Sequence, residues 1–412
     1  MNVNNGDNAW MLISAAMVML MTPGLAFFYG GMVRRKNALS TIMMSFMTLG
    51  LIGLLWILYG YTLSFGQDLG GVIGNLQYIF LKGVGQDPSL IYATSVPHLS
   101  FMAYQGMFAI ITVALITGAV VERMKFSAIL LFSILWFTLV YTPVAHWVWG
   151  GGWLAKLGVL DFAGGTAVHI NAGVSALSLA ILIGPRKGYS KEADMAPPHN
   201  VPFIVIGAGI LWFGWFGFNA GSALTSGGLA SNAFVATNIS AAAAAVTWMF
   251  LSWFHRRPSV SGIAIGAVAG LVAVTPAAGF IMPIFGLPIG IGASLICFYM
   301  MKLRNKTRVD ESLDVWACHG MAGTWGAITT GLFASSSVNS AGADGLVYTG
   351  NLLLTGKQFL ATAVVWVFSF GMTWLIGKFL DKTIGLRVSA TEEIIGLDIS
   401  QHGERAYGER SF

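Results

Sequence analysis

The sequence predicts an all-α integral membrane protein of eleven transmembrane helices. The N-terminus is expected outside and the C-terminus inside, with an inverted repeat of helices 1–5 and 6–10 plus one extra helix. Three observations predict this: long apolar runs without charge, a one-sided distribution of cations between the runs, and a short motif that recurs five helices apart. Of the 412 residues, 56% are hydrophobic and only 9% are charged, against about 25% charged in an ordinary soluble domain. The mean hydropathy is +0.72. Lipid is therefore the expected solvent.

A membrane helix needs about 20 apolar residues. Stretches free of Asp, Glu, Lys and Arg run 8–33, 37–67, 88–121, 126–155, 162–185, 195–254, 258–301, 315–343 and 358–377. The 195–254 stretch is double length and breaks at the Gly/Ser/Asn-rich segment Ala220–Asn232. The 258–301 stretch breaks around Pro276, Gly279 and Pro283. Seven single spans and two pairs give eleven. The first run is too long for a signal peptide and lacks a basic leader, so it reads as a retained span. A β-barrel would need segments of about ten alternating residues, which these unbroken runs exclude.

With the N-terminus outside, inner loops hold Arg34, Arg35, Lys36, Arg123, Lys125, Arg186, Lys187, Lys191, Arg256, Arg257, Lys302, Arg304, Lys306 and Arg308. The tail adds Lys378, Lys382, Arg387, Arg405 and Arg410. The outer side keeps Lys82, Lys156 and Lys357. Nineteen against three satisfies the positive-inside rule, and a missed or extra span in the middle would destroy the asymmetry. The net charge of +5 thus belongs to membrane topology, and no nucleic-acid partner is expected.

Fifty-two glycines fit close helix packing, and Gly262, Gly266 and Gly270 repeat the G-x-x-x-G spacing. Cys297 and Cys318 stand far from any Cys-x-x-Cys pattern and read as small apolar packers. No catalytic triad, phosphate-binding loop or metal cluster is present in the sequence. Neither an enzyme nor a cofactor is expected.

Helix five carries His169-Ile-Asn-Ala-Gly173 and helix ten carries His319-Gly-Met-Ala-Gly323. Both read H-x-x-A-G. Five helices is an odd offset, so the two halves insert with opposite topology. In such repeats substrate sites lie near the midplane at the repeat interface. Polar side chains inside hydrocarbon are costly and mark function. Of seven histidines, only His169 and His319 fall mid-helix; His199, His255 and His402 fall by inner loops, and His98 and His146 near outer helix ends. Counted from Asp161 and Asp314 at 1.5 Å per residue in a core about 30 Å thick, the two are left roughly 10 Å apart in depth, a gap that a shift of a few residues in the helix boundaries closes, so the arithmetic permits a pair. A desolvated, uncharged imidazole couple would donate from one ring nitrogen and accept at another. That suits a small solute that does both, or one that must give up a proton. Haem ligation is the rival use of two buried histidines.

Asp161 opens helix five and reads as an N-cap, with an electrostatic role toward a cation as the alternative. Trp149, in His146-Trp-Val-Trp-Gly-Gly-Gly152, is either an interfacial belt residue or a face for a cation. Phe108 and Phe218 lie inside spans. Ser222 follows Phe218 by four residues and shares its face if the helix continues.

Together these residues resemble the ammonium transporter family (Amt/Mep, distantly related to the Rhesus proteins). The resemblance rests on Pro23-Gly-Leu-Ala-Phe-Phe-Tyr-Gly-Gly31, Gln105-Gly-Met-Phe108, Asp161-Phe-Ala-Gly-Gly-Thr-Ala-Val-His-Ile-Asn-Ala-Gly173 and Gly214-Trp-Phe-Gly-Phe-Asn-Ala-Gly-Ser222. Further matches are Gly385-Leu-Arg-Val388, Gly396-Leu-Asp398 and His402-Gly-Glu-Arg-Ala-Tyr407. It covers about residues 8–408, and Trp149 with the tail favours Amt over Rhesus. The resemblance implies a homotrimer in the inner cell membrane with one pore per subunit. It implies that Phe108, Trp149 and Ser222 form an outer ammonium site, that Phe108 and Phe218 form a phenyl gate, and that His169 and His319 line the pore. Asp161 would be the family's buried, structural and cation-supporting aspartate. Tyr104 departs from the family's usual Phe beside the outer site, and its hydroxyl would contact the cation or hydrate the vestibule. Inner loops and tail resemble the docking surface of a PII-type (GlnK) regulator. The expected organisation is a membrane domain over 1–385 and a cytoplasmic tail over 386–412, without an appended sensor domain. The implied activity is recruitment and deprotonation of ammonium, then ammonia conduction with net charge movement. The alternatives are a passive ammonia channel and an ammonium sensor acting through a PII-type partner.

Overall fold

The computed structural model describes residues 2–189, 198–255 and 257–408. The predicted inner-loop cations Lys191 and Arg256, and Arg410 of the tail, lie outside the described residues. In chain order the long helical runs are α1 (Asn5–Met32), α2 (Arg35–Phe65), α3 (His98–Thr117), α4 (Phe126–Leu157, interrupted at 149–152), α5 (Gly165–Ile183), α6 (Val201–Ala223) and α7 (Gly228–His255). They continue as α8 (Val260–Val274), α9 (Pro283–Asn305), α10 (Trp316–Met321 and Ala322–Phe333) and α11 (Leu353–Thr383). Nine of these, all but α8 and α10, are long and apolar enough to cross a membrane among the described residues.

The helices lie close to the charge-free runs. The two double-length stretches divide where their Gly, Ser and Pro clusters fall, at 224–227 and 275–282. The 88–121 stretch departs from a single helix. Its first ten residues form the short hairpin Pro88–Ser89 and Ala93–Pro97 before α3 begins at His98. A second hairpin pairs Asp68–Leu69 with Ile73–Gly74, so the fold carries two small β elements in loops on one face. Large apolar side chains such as Leu54, Phe254, Val367 and Leu375 are more than half exposed along the outer faces of the helices. That is the inverse of a water-soluble surface and matches a hydrocarbon solvent.

α1 runs along α6, α7 packs on α8 and α9, and α5 lies between α10 and α11. The G-x-x-x-G run of α8 meets Trp248 and Ser240 of α7, so these glycines serve helix packing. At the α5–α10 crossing, Gly173 abuts the backbone of Gly320. A Cβ there would stand 2.1 Å from the Gly320 nitrogen. This contact lets the two histidine-bearing helices touch backbone to backbone.

Past α11 the chain does not leave the bundle. Leu386 and Leu397 are buried in the main core. Helices α12 (Ala390–Ile395) and α13 (Leu397–His402) follow. α12 opens with a reciprocal cap between Ser389 and Glu392. Asp398 accepts from the Ser40 amide at 2.8 Å and Asn37 accepts from the Leu397 amide at 2.8 Å. Tyr407 meets His199 and lies under the Arg35 guanidinium. The 386–408 segment therefore sits against the loops at the ends of α1–α6.

Candidate functional site

Five π-helical turns occur among the described helices, at Trp56–Gly60, Phe137–Tyr141, Gly165–Ile170, Phe216–Ala220 and Trp316–Met321. The last three carry His169, Phe218 and His319. A π turn widens the helix by one residue and re-aims its side chains, and such turns gather at functional sites.

α5 begins with Asp161 folded back over the helix start. Its carboxylate accepts four backbone N–H groups: Gly164 and Gly165 at 2.8 and 2.7 Å, Thr166 and Ala167 at 2.8 and 3.0 Å. The four orphan amides of a helix N-terminus are thereby satisfied by one buried side chain. Gly164, at φ +117°, takes the left-handed turn that brings those amides round. The Asp161 carbonyl accepts from Trp149 Nε1 at 2.9 Å, which fixes the indole at the end of α4.

Trp149, Phe108, Gln105 and Ser222 line a cavity of about 250 Å³ together with Phe101 and Phe162. Phe108 meets the Trp149 ring edge-on, with centroids 5.9 Å apart. Phe108 and Phe218 stack at 4.1 Å with planes 27° apart, so Phe108 faces the cavity and Phe218 backs it. Ser222 Oγ donates to the Phe218 carbonyl at 2.9 Å. The bond spans four residues although the helix changes from π to 3-10 geometry between them.

Tyr104 is completely buried and does not line the cavity. Its hydroxyl shares its proton between the carbonyls of Gly217 and Phe218, both at 2.8 Å, and lies 3.2 Å from Ser222 Oγ. The hydroxyl thus ties α3 to the π turn of α6 and abuts Ser222 from below. The geometry gives it no direct approach to a solute in the cavity.

Below the phenyl pair, His169 meets both the Phe218 ring, 5.8 Å away at 27°, and the Trp215 ring, 5.3 Å away at 23°, which also touch each other at 5.5 Å. Trp215 is held by its Nε1 donating to Thr275 Oγ at 2.9 Å. His169 Nδ1 and His319 Nδ1 are 3.3 Å apart, and both residues are buried. Facing nitrogens at that distance require one ring to donate and the other to accept. His169 Nε2 meets no protein partner among the described residues.

The 10 Å depth gap expected from the sequence does not exist. It assumed that Asp161 and Asp314 mark the ends of regular helices. Asp161 is instead sunk into the protein as a cap, and Asp314, at φ +56°, sits in a turn two residues before α10. The sequence reading also passed over three residues. Gln105 turns a buried Oε1 that meets no protein partner among the described residues. Trp215 stacks on His169, and Glu311 caps α10. Gln105 and Trp215 stood inside the quoted motifs. Glu311 precedes His319 by the same eight residues that separate Asp161 from His169.

Opposite the aromatic cavity the loops are joined by ion pairs. Glu122 binds Arg34 and Arg186, and Arg186 also binds Asp310. Arg123 is fully buried and donates to the carbonyls of Gly184, Ala119 and Asp310.

Long apolar helices that enclose an aromatic-floored cavity and a buried polar pair form the architecture of a multi-pass membrane transport protein. The chain matches the model of the Ammonium Transporter Family over residues 9–407. It is 50% identical to an ammonium transporter of Bacillus subtilis, over 98% of each chain. It is also 50% identical to ammonium transporter Amt1 of Archaeoglobus fulgidus, over 98% of this chain and 100% of that one. The crystal structure of Candida albicans Mep2 superposes with a TM-score of 0.89 at 37% identity, covering 98% of this chain and 91% of that one. The chain therefore belongs to the ammonium transporter family. It is a membrane transport protein for ammonium and not an enzyme.

Proposed function

We propose that the aromatic cavity recruits ammonium, that the cation loses its proton near the Phe108–Phe218 pair, and that ammonia passes along His169 and His319 while the proton returns separately, so that net charge moves. Support comes first from the continuity of these groups, from Trp149 and Ser222 through the stacked phenyls to the histidine pair. Trp149 gives the best cation–π face, held rigid by its bond to Asp161, and the Ser222 and Gln105 oxygens accept N–H groups. Below the phenyls come Trp215, His169 and His319, none of which carries a fixed charge, and an unpaired cation there would pay a large desolvation cost. Neutral ammonia both donates and accepts, and the free His169 Nε2 offers it a partner. Asp161 is committed to four amides, so its part is to build the start of α5 and to add a fixed negative field below Trp149.

All eleven helices cross the membrane in this reading, N-out and C-in, with α1–α5 and α6–α10 as inverted repeats. Residues 1–385 form the membrane domain and 386–412 the cytoplasmic tail. The protein acts as a homotrimer in the inner cell membrane. The docked 386–408 segment and the ionic loops present a surface for a PII-type regulator.

The observation that carries the mechanism is the 3.3 Å histidine contact directly beneath the phenyl stack. Its test is His169→Ala in proteoliposomes pulsed with ammonium or potassium. Weakened discrimination between the two supports the reading; unchanged selectivity removes the histidines from the mechanism.

A further inference from the structure

Counted back from each histidine of the facing pair, the eighth residue is a carboxylate, Asp161 before His169 and Glu311 before His319. Both are buried and both cap the helix of their histidine, but they are satisfied unequally. Asp161 accepts four amides. Glu311 is 0% exposed and accepts two, from Val315 at 2.9 Å and Trp316 at 3.2 Å. The guanidinium that acts on it, Arg304, is engaged by Asp314 at 2.7 Å. Among the described residues, the titratable groups facing Glu311 are Tyr29 from α1, Cys297 and Arg304 from α9, and Asp314 from the turn before α10, with Cys318 of α10 next to Tyr29 and Cys297.

We propose that Glu311 is the charge-setting residue of the inner half of the pore, which binds or releases a proton according to the pH on the cytoplasmic side. This rests on the reading of His169 and His319 as pore residues. Burial, and next the Asp314 carboxylate, push the Glu311 carboxyl up to about 7 from its ordinary 4.5, while Arg304 and the two amides pull it back only in part. The sign follows directly. With its value raised, the fold favours the neutral form, which prevails below about 7. As pH rises through that value, an incompletely compensated negative charge appears at the foot of α10. That charge favours positive charge along the inner pore, whether a re-formed ammonium ion or a returning proton. Burial raises the Asp161 carboxyl as well, and its four amides, twice the number at Glu311, pull it back. The repeat thus places the better-satisfied carboxylate at the outer end and the switchable one at the inner end.

The test is the ratio of wild-type to Glu311→Gln ammonium current in proteoliposomes, with outside pH fixed and internal pH stepped from about 6 to about 8, one unit either side of the titration. Dividing the two currents cancels changes in driving force. The expected ratio is near one at the acid end and rises several-fold in a single-proton step centred near 7. A flat ratio overturns the proposal. If the Gln variant does not fold, infrared difference spectra of wild type and Glu311→Asp across the same range give the answer. A protonated-carboxyl band that vanishes above 7 and shifts in the Asp variant supports it; no such band sinks it. His319→Ala is measured alongside. Altered selectivity there with a flat Glu311 ratio refutes this inference alone, whereas unchanged selectivity refutes the pore reading beneath it.

Discussion

Gly173→Ala tests the α5–α10 crossing that brings the histidines together. The added Cβ would meet the Gly320 nitrogen at 2.1 Å and its Cα at 2.5 Å, both backbone atoms with no rotamer to yield. Restoring the ordinary contact limit of 3.4 Å requires the backbones to part by about 1.3 Å. The His169–His319 contact starts at 3.3 Å, so a separation of that size carries it beyond hydrogen-bond range. Overpacking of this kind costs about 1–3 kcal/mol, which leaves the protein folded but less stable. The assay is ammonium current and ammonium-over-potassium selectivity in proteoliposomes, with thermal unfolding in detergent as control. The expected result is a folded protein with a lowered melting temperature and weakened selectivity. Wild-type stability, flux and selectivity together would refute the claim that close backbone contact holds the pair.

Trp149→Leu removes the cation–π face, worth about 0.5–2 kcal/mol. The concentration giving half-maximal current is expected to rise roughly two- to thirty-fold, and an unaltered value would make Trp149 an interfacial belt residue. Tyr104→Phe deletes a buried donor at a net cost of about 1 kcal/mol; loosening Ser222, it should weaken apparent affinity by up to about five-fold, with folding retained. Asp161→Ala strands four amides, each bond to a charged acceptor worth roughly 1.5–3 kcal/mol, so failure to assemble or a steep loss of thermal stability is expected. For Glu122, burial alone would raise the carboxyl, but Arg186 and Arg34 outweigh it and hold it below its ordinary 4.5. Its contribution to stability is therefore present above about 4.5 and is lost as pH falls through its depressed value. Glu122→Gln should lower the melting temperature at neutral pH and by less under strongly acid conditions.

Helix positions were legible because lipid imposes a one-letter rule: charge is excluded, and charge-free runs can be marked by eye. The breaks at 224–227 and 275–282 followed from glycine, serine and proline chemistry. The pairing of His169 with His319 was legible as a repeated motif, but its closeness was not. Depth counting assumes regular helices, and α5 and α10 each begin with a π turn after a folded-back acid. The partners of the Tyr104 hydroxyl were not legible, because its place on its own helix does not show which carbonyls of another helix meet it. Glu311 was missed for a related reason. The repeat preserves a buried carboxylate but not an identical residue, Glu311 being longer than Asp161 by one methylene. The docking of 386–408 depends on long-range contacts such as Asn37 with Leu397, which no local pattern announces.

The central claim is that this chain carries ammonium across a bilayer with net charge movement. Its most direct test is the current from wild-type protein in proteoliposomes on a solid-supported membrane after an ammonium pulse. A saturable current absent from protein-free liposomes is the expected result. No current, with ammonia flux still registered by an internal pH dye, would contradict it in favour of a passive channel.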